Sequence, residues 1–245
     1  MHRQFFDLID RYRNQVSELV AVRADMVIAV LDLSKSNEDL HSDLFADTAV
    51  FSNYIDQCRL KKKADFLAGG YNELRVMYER SELFDSNNQP NMNQRDEPRR
   101  LHLGLDIWGP VDTPVFAPLN GTIHSVAFND RFGDYGATII LKHQLETITF
   151  YSLYGHLSLR DIENRKAGEF VESGELIAHF GNPEENGHWP PHLHFQLIMD
   201  IGATIGDYPG VCKESEREMY LQNCPDPESI LGFKRYMKDA IGSGR

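Results

Sequence analysis

The chain has 245 residues, with 37 Asp and Glu against 25 Lys and Arg, giving a formal net charge of -12. An acid excess of this size sets it against nucleic acid and anionic lipid head groups, both of which select basic surfaces. With 41% hydrophobic and 11% aromatic residues, it has the composition of a globular protein with a real core, which excludes disorder throughout.

Three cysteines, Cys58, Cys212 and Cys224, are too few and too scattered for a disulfide framework or a thiolate zinc module, and point to a reducing compartment. Asp7, Asp10 and Arg11 interrupt the first apolar stretch, so no signal peptide is visible. The longest apolar run, Met26 to Leu31, falls far short of the roughly 20 residues of a membrane span. The expected location is therefore cytoplasmic, with a periplasmic or extracellular one only by an export route not visible in the sequence.

In chain order, Phe5, Phe6, Leu8, Ile9, Tyr12, Val16 and Leu19 recur at three- and four-residue spacing, which predicts an amphipathic helix. Met26 to Ser34 has the β-branched density of a buried strand. Ser36 to Asp39 is a variant of the capping box and opens a second helix through the forties and fifties, with Lys61, Lys62 and Lys63 as its solvated end. Arg75, Tyr78, Arg80 and Glu82 read as a solvated helix face, in preference to a groove rim on which arginine would hold a substrate carboxylate. Residues 85–97 are polar and Asn-rich and form a linker or loop.

Beyond it, short apolar runs alternate with Gly, Asn and Asp, the texture of a β domain. Glycines at 168 and 174 supply turns and point Val171 and Ile177 inward. Residues 206–245 read as an irregular extension with a short terminal helix. The fold class is α+β: a mostly helical region 1–84, the linker 85–97, a mainly antiparallel β domain 98–205, and the extension 206–245.

The chemistry lies in three short segments. In the last, Pro191-His192-Leu193-His194-Phe195, alternation on a strand puts His192 and His194 on one face while Leu193 and Phe195 anchor the other. In the first, His102-Leu103-Gly104-Leu105-Asp106, a straight strand would hold His102 and Asp106 about 13 Å apart at about 3.3 Å per residue. Gly104 permits the bend that would bring them together. His, Asp and a second His make a zinc triad with one position left for water. The middle segment, Tyr154-Gly155-His156-Leu157, adds another imidazole.

These three segments, in this order, resemble the M23 family of zinc metallopeptidases, the LytM and lysostaphin type. Thr113-Pro114-Val115, Ala117-Pro118, Gly121, Tyr135-Gly136 and the Gly168 to Ile177 rhythm match its texture. The resemblance covers about residues 98–200. It implies a small antiparallel β-sheet domain with one Zn2+ per chain in a groove, with His102, Asp106 and His194 as ligands. His156 and His192 are then the catalytic histidines, one as general base and one as oxyanion stabiliser. Tyr154, two residues before His156 and on the same face of a strand, is read as a packed aromatic in preference to a substrate-binding residue, and Trp189 on the loop entering the last motif is a second substrate-binding candidate. His143, His124 and His179 are read as packed side chains.

The implied function is a zinc-dependent metalloendopeptidase acting on peptidoglycan stem peptides or cross-bridges. Two alternatives stand beside it: a cytoplasmic zinc hydrolase of another small peptide or amide, and a non-enzymatic peptide-binding module. The complete set of five residues favours an enzyme. The N-terminal region is open between a separate helical unit, a docking surface and a shield over the groove, with Asn87, Asn88, Asn91 and Asn93 as candidate oxygen ligands in a latent form.

Overall fold

A computed structural model describes residues 2–23, 25–85 and 97–233. The four linker asparagines and the end of the tail lie outside the described residues.

Helix α1 (His2–Arg11) buries Phe5, Leu8 and Ile9. It stops at Arg11, and Leu19 is buried from an irregular segment next to the Val20 bridge to Val115. The apolar spacing therefore overran the helix, because spacing reports burial and an extended segment can be buried too. Strand β1 (Ile28–Val30) falls in the predicted strand, followed by α2 (Ser42–Ala46) and α3 (Thr48–Lys61). Asp47 caps α3 by accepting from the amides of Ala49 and Val50, so the helix start is set there and not at Ser36. Strand β2 (Phe66–Gly69) then pairs with β1 in parallel. A parallel pair needs a crossover, and α2 and α3 provide it.

Further along come β3 (Glu73–Leu74), β4 (Leu101–His102), β5 (Leu105–Trp108), β6 (Pro114–Phe116), β7 (Gly121–Asn129), β8 (Gly136–Leu145) and β9 (Ile148–Leu157). Strands β10 (Phe170–Val171), β11 (Leu176–His179), β12 (His192–Ile198) and β13 (Val211–Cys212) complete the set among the described residues. The main sheet has the order β1-β2-β5-β12-β9-β8-β7-β10 and is antiparallel except at β1-β2. A small sheet, β13-β4-β3, and the pair β11-β6 lie beside it. The class is α+β. The N-terminal region is no separate helical unit, since β1 and β2 extend the main sheet.

Alternation along β5 and β12 divides the two sides of the sheet. Leu105, Ile107, Leu193, Phe195 and Leu197 join Phe5 and Ile9 in the largest core. On the other side, Trp108 joins Phe45, Phe51, Met77, Tyr78, Phe84 and Trp189 in a second core built largely by the N-terminal region. Asp106, His192 and His194 lie on this side, beneath that cover.

Candidate active site

Asp106 on β5 and His194 on β12 are cross-strand partners, so sheet pairing alone sets these two side chains next to each other. His102 reaches them because the chain breaks between β4 and β5. Gly104 sits in that break, where a Cβ would lie 2.5 Å from His194 Cε1 and 2.6 Å from its Nε2. Gly104 thus acts through close approach. Leu101 and Leu103 pack into a separate small core with Cys212 and Cys224, which anchors β4 away from the line of β5.

Three donor atoms converge. His102 Nε2 lies 2.9 Å from His194 Nδ1, Asp106 Oδ1 lies 3.0 Å from His194 Nδ1, and His102 Nε2 lies 3.3 Å from Asp106 Oδ1. The outer nitrogens fix the tautomers. His102 Nδ1 donates to the Gly70 carbonyl at 2.9 Å, and His194 Nε2 donates to Gln196 Oε1 at 2.9 Å. The amide of Gln196 is held in that sense because its nitrogen donates to the Pro209 carbonyl. Both inner nitrogens then present lone pairs to each other and to a carboxylate, an arrangement of three acceptors that a cation resolves. Donors at about 2.0–2.1 Å from a tetrahedral zinc lie about 3.4 Å from one another, close to the spacings here. The donor set fits zinc.

The electrostatics agree. Burial, and next the Arg75 charge, lower the His102 pKa to about 3, so the ring is neutral and free to ligate. Burial alone would raise the Asp106 pKa, but the Arg75 guanidinium on its Oδ2 holds the carboxyl well below its usual range.

His156 and His192 share the pocket, with ring centroids 4.2 Å apart. His156 Nδ1 donates to the Asn186 carbonyl at 2.7 Å and His192 Nδ1 to the Pro190 carbonyl at 2.7 Å. Each Nε2 is thereby left as a proton acceptor. His192 is also stacked on Trp108, centroids 3.9 Å apart and planes 15° from parallel. Burial lowers the His192 pKa to about 4, and burial, then its histidine neighbours, lower that of His156 well below the ordinary value.

Tyr154 is not in this pocket. The expectation assumed an unbroken strand from Tyr154 to His156, but His156 has a φ of +63° and the β8-β9 register slips opposite it. The bulge turns His156 to the site side and leaves Tyr154 in the main core against Phe195, with its hydroxyl bonded to Ser152. Trp189 does line the pocket. His143 is packed against Phe150 and bonded to Asn120 and Ser152, as expected of a structural histidine.

The reading of Arg75, Tyr78, Arg80 and Glu82 as a solvated helix face is overturned at Arg75 and Tyr78, whereas Arg80 is half-buried and Glu82 exposed. Arg75 and Tyr78 are buried, and Met77, Tyr78, Leu83 and Phe84 form a roof over a cavity of about 100 Å³ above the five motif residues. None of the five is more than 6% exposed. Tyr208 to Val211, from the C-terminal extension, form another wall. Sequence reasoning missed the parts played by Gly70, Arg75, Asn186 and Gln196. Only Gln196 carried a signal, sharing a strand face with His192 and His194.

Comparison with known proteins matches the same segment. Residues 100–204 match the model of Peptidase family M23. An uncharacterized metalloprotease of Haemophilus influenzae is 31% identical over 138 residues, 54% of this chain and 27% of that protein. An L-Ala--D-Glu endopeptidase of Bacillus subtilis is 32% identical over 111 residues, 43% of this chain and 32% of that protein. The chain thus spans about a third or less of the length of these curated relatives. Among solved structures, the antimicrobial peptidase lysostaphin from Staphylococcus simulans aligns at 25% identity with a TM-score of 0.38, over 64% of this chain and 51% of that one. No helix among the described residues is long and apolar enough to cross a membrane.

Proposed function

We propose that this chain is a zinc-dependent metallopeptidase that hydrolyses peptide bonds in peptidoglycan stem peptides or cross-bridges. The observation that carries the reading is the convergence of His102 Nε2, Asp106 Oδ1 and His194 Nδ1, with two further imidazoles in the same pocket. His102, Asp106 and His194 would hold the ion, which when bound supplies a Lewis acid able to acidify water and polarise a carbonyl.

The chain's own groups do the rest. His156 and His192 are neutral at ordinary pH and each offers Nε2, so either accepts a proton from the attacking water. The imidazolium formed then hydrogen-bonds through its one free N–H to the oxygen of the tetrahedral carbon before passing that proton to the departing amine. The main-chain carbonyls of Asn186 and Pro190 keep each Nδ1-H turned away, so no ring has to flip during the transfer.

One observation favours a second reading of the substrate. The roofed cavity of about 100 Å³ suits a small peptide or amide better than a cross-linked strand. Incubating the zinc-loaded protein with purified muropeptides and a panel of short peptides, and following products by mass, separates the two. Cleavage of muropeptides supports the first reading and cleavage of short peptides alone the second. Zinc-loaded protein that cleaves neither contradicts both.

A further inference from the structure

Arg75 lies outside the matched M23 segment, yet it is the residue that grips the carboxylate of the central metal donor. Its side chain is fully buried. Nη1 donates to Asp106 Oδ2, Nε donates to Glu73 Oε2 at 2.7 Å, and Nη2 reaches the Gly69 carbonyl at 3.4 Å. The two Asp106 oxygens are therefore divided: Oδ1 faces His102 and His194, and Oδ2 is taken by the guanidinium.

The backbone is shaped for this. Gly70 has a φ of +104°, and a Cβ there would collide with the Arg75 guanidinium. The Gly70 carbonyl also holds the other face of the site through His102 Nδ1. Glu73, which anchors Nε, is the cross-strand partner of His102. One short segment, Gly69 to Arg75, thus touches two of the three donors.

We infer that Arg75 is a positioning residue for the metal centre: it occupies Asp106 Oδ2 and fixes the carboxylate as a ligand through Oδ1 alone. The inference rests on the reading of His102, Asp106 and His194 as a zinc site. Outer partners of this kind typically set metal affinity by about 10–100-fold. The sign is informative. A buried cation beside the site repels a second cation, so charge alone predicts tighter zinc binding when Arg75 is removed. Positioning predicts weaker binding. Lysine keeps the charge but loses the planar fork that spans Asp106 and Glu73, so it restores only part of the function.

The test uses the full chain and its Arg75→Met, Arg75→Lys and Glu73→Gln variants. Zinc affinity is measured by competition with a chromophoric chelator, ligand geometry by the visible spectrum of the cobalt-substituted protein, and folding by thermal melting without metal. The expected results are zinc binding about 10–100-fold weaker in Arg75→Met, with an altered cobalt spectrum, and an intermediate affinity in Arg75→Lys. Glu73→Gln shows a smaller loss in the same direction. Equal or tighter zinc binding by folded Arg75→Met, with an unchanged spectrum, overturns the inference and leaves an ordinary structural ion pair. Should the Arg75 variants fail to fold, Glu73→Gln decides, and wild-type affinity in that variant overturns it. Failure of the wild-type chain to bind zinc would instead remove the metal-site reading on which the inference stands.

Discussion

Three of the four imidazoles at the site are oriented by main-chain carbonyls, those of Gly70, Asn186 and Pro190, and the fourth by the amide of Gln196. Each bond settles which ring nitrogen faces the pocket, so the proposed division into two ligands and two bases would be a consequence of backbone course. Asn186 is fully buried and ties its own loop, accepting from the Trp189 amide and donating to the Gly181 and Trp189 carbonyls. A fifth buried histidine, His143, lies apart from the site. Burial lowers its pKa to about 4, whereas in the unfolded chain it titrates near 6.5. Its contribution to stability is full above that higher value and is lost as pH falls through the lower one, by an amount on the order of 3 kcal/mol. His192 and His102 act in the same sense in the metal-free protein. The melting temperature of metal-free protein should therefore drop between pH 7 and pH 4.5, and less so in His143→Gln. An identical drop in the variant would show that His143 is not among the groups responsible.

At the level of elements, the site depends on two interruptions of β structure, the break at Gly104 and the bulge at His156. The three motifs were legible because each is a short segment whose residue types are unusual together. The bulge was not, since a left-handed histidine between Gly155 and Leu157 leaves no mark in the alternation of apolar residues, and Tyr154 was placed on the wrong face as a result. The roof was also hidden. Arg75, Tyr78 and Arg80 look like a charged helix face, and the burial of Arg75 and Tyr78 depends on strands far away in the chain.

Arg80 shows how the roof is fastened. Its guanidinium carbon lies 4.8 Å from the Phe132 ring centroid and 4.9 Å from that of Trp189, so it packs against both rings. Thr48 links it to the His188 carbonyl, and Ser81 Oγ donates to the Phe132 carbonyl at 2.6 Å. Replacing Arg80 and Ser81 together by Ala should loosen this segment. Amide exchange at residues 76–84 should quicken, and turnover of cross-linked muropeptides should rise severalfold while that of short peptides changes little. Faster exchange without faster turnover of the large substrate would mean that the roof does not limit access.

Across the whole molecule, the N-terminal region and the segment that matches the M23 model share one sheet and one covered site. Strand β2 pairs with β5, the strand of Asp106, and Phe51 packs near Trp108, which in turn stacks on His192. The α+β class could be read from texture, because short strands and Gly turns are local features. The joining of β1 and β2 to that sheet could not, since pairing partners far apart in sequence are not encoded in the pattern of either strand. Removing residues 1–84 would expose the edge of β5 and the faces of Trp108 and Trp189. Such a truncated chain should aggregate or melt without cooperativity, and a soluble, cooperatively melting, zinc-binding fragment would contradict this.

The account as a whole rests on the separation of ligands from bases, and zinc content measured alongside hydrolysis in two single variants tests it most directly. Asp106→Ala should lose zinc and activity together. His156→Ala should keep one zinc per chain while losing about 10²–10⁴-fold in rate. Zinc retained at full stoichiometry in Asp106→Ala, or lost in His156→Ala, would contradict the assignment.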